Sequence, residues 1–398
     1  MKPSSIKWID RRVGVIICFI LSLWQSIFSS SRGSSPTKKI LFIKLIEQGA
    51  SVLAYSALKE AVEKVGKKNV YFLVFEENKP ILDFLNILEP SNIIVIRNND
   101  YFSFLIDLVK GLRTIRKQKV DSCIDMEFFS RASAIIAYLS GAKKRVGLYS
   151  FTSEHPYRGK LITHKIHYNP YVHVSNYYLM LVRALEEQQV NEPLLKIPSN
   201  NFQVENPVAT MPEIHLKAVK TKLGHAASGK RLIILNPNAS DMLPLRKWET
   251  SNFKALAKQI QTLGEEYFIV FTGVENERKE IEMLTADLEQ INYCNLAGET
   301  SLEELMALYQ LSSVVVTNDS GPAHFASMFK TAIIVLFGPE TPELFAPIGD
   351  NVHVIYKKLA CSPCVNVFNH RFSPCTNNVC MQNIGVDEVF EKLKTVLL

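Results

Sequence analysis

The 398-residue chain lacks any apolar run as long as the about 20 residues that a helix needs to cross a bilayer core, and none of its 17 glycines forms a G-x-G. The first absence excludes a multi-span membrane protein. The second removes the dinucleotide fingerprint of an NAD-dependent dehydrogenase and leaves a Rossmann-type oxidoreductase as a weak reading. Seven cysteines are too few for a disulfide scaffold of this length. Except around the N-terminus, basic residues are scattered instead of gathered into a stripe, which argues against a nucleic-acid partner. No repeat period is visible.

What the chain has is length for two domains, 47% hydrophobic residues and a net charge of +6. That charge is local. Lys2, Lys7, Arg11, Arg12, Arg32, Lys38 and Lys39 face only Asp10 ahead of Ile40, so the rest of the chain is formally neutral. Between these basic groups lies the apolar run Val13–Phe28, which as a helix spans about 24 Å. Ser22, Gln25, Ser26 and Ser29 recur at helical spacing and form one polar stripe. The pattern suits an uncleaved anchor, lying in the interface or crossing as a short tilted span, on an anionic membrane surface. A cleaved signal peptide and a buried core helix are the alternatives.

After a Ser/Gly-rich linker, Ser29–Thr37, short apolar runs alternate with amphipathic ones. Strands are expected at Ile40–Leu45, Val70–Phe75, Asn92–Arg97, Val120–Met126 and Arg145–Leu148, with helices near Ser51–Val65, Phe102–Arg116 and Arg131–Ser140. A Pro-rich polar stretch interrupts the rhythm before it restarts with strands Leu232–Asn236, Tyr267–Thr272, Val314–Thr317 and Ile333–Phe337. Between them fall helices at about Asn252–Leu263, from Glu275, and at Leu302–Tyr309 behind a Ser301/Glu304 capping box. The fold class is α/β, with two Rossmann-like doubly wound domains, residues 38–190 and 213–398. An N-terminal hydrophobic anchor helix and linker (1–37) precede them, and 191–212 connects them. Ligands of such sheets sit beyond the carboxyl ends of the strands.

Gly224–Lys230 reads as G-x-x-x-x-G-K, yet Arg231 stands where a P-loop needs Ser or Thr and a strand follows the motif instead of preceding it. The stronger signal is Asn318-Asp319-Ser320-Gly321-Pro322-Ala323-His324 at the end of an apolar strand. Ser320 and Gly321 make a turn, Pro322 suits the first helical position, and the helix start offers free N–H groups to an anion. An ordinary strand–helix turn has the same features.

Together with Phe337-Gly338-Pro339-Glu340-Thr341-Pro342 and Cys361-Ser362-Pro363-Cys364, this segment resembles glycosyltransferase family 9, the heptosyltransferase family of lipopolysaccharide core assembly. Leu235–Trp248 and Lys39–Leu58 resemble two further family segments. The resemblance implies a GT-B fold and metal-independent transfer from a nucleotide-sugar donor, ADP-heptose by family default, to a glycan or lipid-linked acceptor. It implies donor contacts from Asn236, Arg246 with Lys247 as a neighbouring backup, Glu277, Asp319, Ser320, Gly321 and His324. It also implies work at the cytoplasmic face of the inner membrane, where the N-terminal segment would hold the protein.

One departure is chemical. Where the family carries its base, an Asp after Gly, this chain has Gly49-Ala50. Alanine cannot take a proton, so Glu47 is the expected replacement base and Asp125 the alternative. Lys44 and Arg131 are candidate contacts to an anionic acceptor. The missing Asp also keeps open a nucleotide-sugar-binding protein without turnover. Finally, Cys361, Cys364, Cys375 and Cys380, in the Cys-rich loop 361–380, have a spacing compatible with a structural zinc; free or disulfide-capable thiols are the alternative.

Overall fold

The computed structural model describes residues 3–28, 36–151, 157–188, 192–239, 243–286, 288, 292–367 and 372–398, without the side chains of 3–7, 28 and 200. Ser29 of the polar stripe, most of the Ser29–Thr37 linker, residues 240–242 of the Leu235–Trp248 loop and 368–371 of the Cys-rich loop lie outside them. So do residues 189–191, at the end of the first expected domain and the start of the connection.

The chain divides into two compact units, Met1–Glu205 and Asn206–Leu398. The first unit carries β1 (Ile40–Ile43), β2 (Val70–Phe75), β3 (Ile93–Ile96), β4 (Ser122–Asp125), β5 (Lys144–Tyr149) and β6 (His164–His167). Every pairing is parallel, in the order β3-β2-β1-β4-β5-β6. The central strands are buried on both faces, as Ile40–Ile43 and Val70–Phe75 are along their whole length, because helices cover the sheet on each side.

The second unit repeats the plan. It carries β7 (Arg231–Asn236), β8 (Tyr267–Phe271), β9 (Tyr293–Asn295), β10 (Ser312–Asn318), β11 (Ala332–Phe337) and β12 (Val352–Tyr356), in the order β12-β11-β10-β7-β8-β9. Counted within its own unit, each sheet has the Rossmann order 3-2-1-4-5-6. The order reverses between β1 and β4 in one unit and between β7 and β10 in the other. Those two gaps are where such sheets bind ligands.

Local chemistry sets the helix starts. Asp100 Oδ1 accepts from the N–H groups of Phe102 and Ser103, both at 2.9 Å, and opens the helix Tyr101–Lys117. The Ser301/Glu304 capping box forms in both directions and opens Leu302–Leu311. The G-x-x-x-x-G-K segment turns out of the helix Glu213–Leu223 into β7, with Gly224 and Gly229 both at positive φ. It is a helix-to-strand connection and no phosphate loop.

The N-terminal helix, Pro3–Phe28, packs against the helix Arg131–Leu139. Cys18 is fully buried there with Ala134, Leu161 and Ile162. Among the described residues no helix is long and apolar enough to cross a membrane.

Candidate functional sites at the two strand-order reversals

In the first unit the chain leaves β1 through Lys44, which is buried. Its Nζ lies 2.9 Å from Glu47 Oε2 and 3.1 Å from Glu127 Oε2. Glu127 is itself held by the N–H of Leu45, which donates to Oε1 at 2.7 Å. One ammonium is therefore gripped by two carboxylates. Lys44, expected to touch an anionic acceptor, is instead an internal counter-ion.

Glu47 caps the six-residue helix Gln48–Leu53 from a left-handed backbone, φ 73°. A non-glycine residue there is strained, and such strain clusters at working sites. Its side chain is partly exposed, whereas Ala50 is buried in the first turn of the helix behind it. Of the two expected bases, Glu47 alone has solvent access. Asp125, at the end of β4, is fully enclosed: its Oδ2 accepts from Ser133 Oγ at 2.9 Å and lies 3.6 Å from Arg158 Nη1. Burial pushes its carboxyl up to about 7, against the pull of Arg158 and Ser133. A carboxyl so enclosed does not meet an acceptor hydroxyl, and Asp125 serves the packing under the site.

Arg131 is also placed differently from the acceptor contact expected of it. It is buried, with Nη1 3.5 Å from Asp10 Oδ2 and Nε donating to Tyr157 O at 3.1 Å. Asp10 further accepts from Ala132 N at 2.7 Å. The N-terminal helix thus caps and neutralises the start of the Arg131–Leu139 helix.

In the second unit the ends of β7, β10 and β11 converge. Asn236 Nδ2 donates to Thr272 O at 3.0 Å, and its Oδ1 accepts from Thr317 Oγ1 at 3.3 Å. Asn318 Oδ1 accepts from Trp248 N at 2.9 Å, and its Nδ2 donates to Pro237 O and Asn238 O. Trp248 is fully buried and donates Nε1–H to Ile384 O at 2.9 Å. These side-chain bonds tie the loop after β7 to the end of β10 and set the position of Arg246 between them.

Arg246 Nη1 lies 3.6 Å from Asp319 Oδ2 and 3.9 Å from Glu340 Oε2. Both carboxyls are buried, and each raises the charge cost of the other. Burial, then the neighbouring Asp319 charge, pushes the Glu340 carboxyl up to about 8, and burial raises Asp319 as well, so the pair together keeps one proton at neutral pH. With one proton on the pair, Arg246 and the carboxyls sum to zero. Glu340 stands in the Gly338–Pro342 motif, but sequence spacing assigns it no task.

Ser320 and Gly321 begin a helix of only six residues, Gly321–Ala326, with Pro322 second in it. So short a helix adds little macrodipole, and the fixed positive charge at this strand end is Arg246. Ser320 Oγ turns back to Asn318 O at 3.1 Å, and His324 is buried one turn on. Lys247 pairs with Glu280, which also accepts from Thr250 Oγ1 at 2.8 Å. Glu277 Oε2 accepts from Val274 N at 2.8 Å and closes the turn after β8.

Cys361 and Cys375 are exposed and Cys380 is buried, all as free thiols. Among the described residues no group of three or more His, Cys, Asp or Glu side chains is placed to hold a metal ion.

Residues 109–371 match the sequence profile of glycosyltransferase family 9 (heptosyltransferase). The chain belongs to this family. It is 28% identical over 174 residues to the lipooligosaccharide heptosyltransferase 2 of Campylobacter jejuni, a match covering 43% of this chain and 52% of that protein. The chain thus spans about half the length of the curated relatives it matches first. Two solved structures show the fold. The E. coli ADP-heptose lipopolysaccharide heptosyltransferase II superposes with a TM-score of 0.65 at 19% identity, over 90% of this chain and 98% of that one. The family 9 glycosyltransferase of Veillonella parvula does so with 0.68 at 17%, over 92% and 99%. The family 9 fold is therefore the GT-B plan of two Rossmann-like units expected from the sequence.

Proposed function

We propose that the protein is a glycosyltransferase that moves a sugar, a heptose by the pattern of its family, from a nucleoside diphosphate donor such as ADP-heptose. The acceptor would be a lipopolysaccharide core or other surface glycan, met at the cytoplasmic face of the inner membrane. The observation that carries this reading is the Arg246–Asp319–Glu340 cluster at the β7/β10 reversal: a preorganised guanidinium, partly exposed and fixed on two buried carboxyls, suits a diphosphate. Family membership and the names of the relatives support the sugar and the acceptor class.

In the reaction, an acceptor hydroxyl oxygen attacks the anomeric carbon. The bond from that carbon to the diphosphate oxygen breaks, and its electron pair leaves with the nucleoside diphosphate. Glu47 takes the hydroxyl proton, and Arg246 with nearby backbone N–H groups stabilises the charge growing on the leaving diphosphate. On this reading the step is metal-independent, as the pattern of the family implies. Lys44 orients Glu47, and Glu127 locks Lys44.

The second reading, donor binding without transfer, follows from Ala50. Strained Glu47 at the same strand end favours turnover. Incubating the protein with ADP-heptose and a deacylated core acceptor separates the two. Release of free ADP that depends on acceptor supports transfer; saturable donor binding with no release supports the binding protein.

A further inference from the structure

The N-terminal helix has two unlike faces. Its polar stripe turns inward: Ser22 Oγ accepts from Lys160 N at 2.9 Å, and Ser26 Oγ accepts from Lys160 Nζ at 2.9 Å. Two glycines permit the close approach. A Cβ on Gly14 would sit 2.9 Å from Arg131 Cβ, and one on Gly159, which has φ 58°, would collide with Ser22 Oγ. With the Asp10–Arg131 pair at its start and buried Cys18 at its middle, the helix is fastened to the first unit along its length.

The opposite face is open to solvent. Ile16, Phe19, Ile20, Leu23, Trp24 and Ile27 are each more than half exposed, and so is Trp8 near the start. A contiguous apolar face of this size is rare on a free soluble surface. Arg11 and Arg12 are exposed at the N-terminal end of the same helix, where the sequence also places Lys2 and Lys7. Asp10, the one acid among them, is already spent on Arg131. Exposed cations next to an apolar face with tryptophans match the boundary of an anionic bilayer, where headgroups meet acyl chains.

We propose that this helix is an interfacial docking surface for an anionic phospholipid bilayer: it lies in the membrane plane on its outward face and holds the first unit by its inward one. The polar stripe is the joint to the protein and no seam within the lipid. Because the helix is fixed to the start of Arg131–Leu139, docking orients the β1/β4 end of the first unit relative to the membrane. The proposal does not depend on the transfer reaction.

The test is sedimentation of the full chain with vesicles of phosphatidylcholine, with and without phosphatidylglycerol. The wild type is expected to bind the anionic vesicles and to bind pure phosphatidylcholine more weakly. The triple variant Ile16→Glu, Ile20→Glu, Leu23→Glu should lose about tenfold or more of its partition, with its thermal unfolding and nucleotide binding retained. Arg11→Glu with Arg12→Glu should erase the preference for anionic vesicles. Should the triple variant fail to fold, tryptophan emission replaces it: Trp8 and Trp24 shift to the blue on adding vesicles, and Trp8→Phe with Trp24→Phe removes the shift while buried Trp248 stays silent. A wild type that remains in solution with both vesicle types overturns the proposal. So does a soluble dimer that the triple variant dissolves without any vesicle binding, since the face then belongs to a second copy.

Discussion

Arg246 and Glu340 meet at the strand ends of the second unit, with Nη1 3.9 Å from Oε2, and Asp319 completes the group at 3.6 Å. The charge available to a diphosphate there depends on the proton that the Asp319–Glu340 pair holds. Raising the pH through about 8 removes that proton and turns a neutral group into one of net −1. Affinity for ADP should therefore fall as the pH rises from 7.5 to 9. Glu340→Gln, which keeps the shape and the neutral state, should bind as the wild type does at pH 7.5 and lose this slope in calorimetric titration. An unchanged slope in the variant would remove Glu340 from the site.

The same proton links to stability. The folded carboxyl titrates above its ordinary range, so the folded chain binds the proton more tightly than the unfolded one. The stabilisation is fully present below about 4.5 and is lost as the pH rises through about 8. Thermal melts of the wild type should show a downward trend between those limits that Glu340→Gln makes shallower.

Replacing Arg246 tests the charge itself. Arg246→Ala leaves two buried carboxyls without their cation and should weaken ADP binding by about a hundredfold, or about 2.7 kcal/mol. Arg246→Lys restores the charge but not the planar fork that reaches Asp319 and Glu340 together, and should recover only part of the loss. Equal binding by all three forms would place the diphosphate elsewhere.

These side chains also show how far the residues alone could be read. The long apolar strands of both sheets, such as Val70–Phe75 and Ala332–Phe337, announce themselves because burial on two faces demands continuous hydrophobicity. The strands His164–His167, Tyr293–Asn295 and Val352–Tyr356 escape such a reading, since all three lie at sheet edges, where short segments with polar residues suffice. Charged side chains are harder still. Whether Lys44 and Arg131 face solvent depends on Glu127 and Asp10, which lie 83 and 121 positions away in sequence, and no local pattern records such partners. Pairs that close only in the folded chain gave Lys44, Arg131 and Lys247 their internal roles. For Glu47 the residues alone supply the strand-end position, which the structure shares, while its task as a base rests on the test below.

Asp10 joins the N-terminal helix to the body and gives a stability prediction. Asp10→Ala removes the carboxylate from buried Arg131 and the acceptor from Ala132 N. Loss of a partner to a buried cation is expensive, and the change should cost about 3 kcal/mol. Gly14→Val tests the same joint sterically, because its Cβ would press on Arg131. Both should lower the unfolding midpoint of the first unit while leaving ADP binding by the second unchanged. Unaltered melting in both variants would mean that the helix contributes nothing to the unit it covers.

The sharpest chemical test concerns Glu47. Its left-handed backbone is unfavourable for any residue with a Cβ, so a glycine there should stabilise the loop by about 1 kcal/mol if conformation were the only consideration. The carboxylate kept there pairs with Lys44, is partly exposed, and lies three residues before Ala50. Glu47→Gln preserves size and hydrogen bonding but cannot take a proton, so transfer should fall by about 10²-fold or more, with donor affinity unchanged. Glu47→Gly should be equally inactive, its relief of backbone strain set against the loss of one of the two carboxylates on buried Lys44, so turnover is compared per folded molecule. Asp125→Asn supplies the contrast: burial beneath the site makes its effect one of stability, with turnover per folded molecule retained. Turnover that survives in Glu47→Gln and vanishes in Asp125→Asn would reverse the assignment of the base.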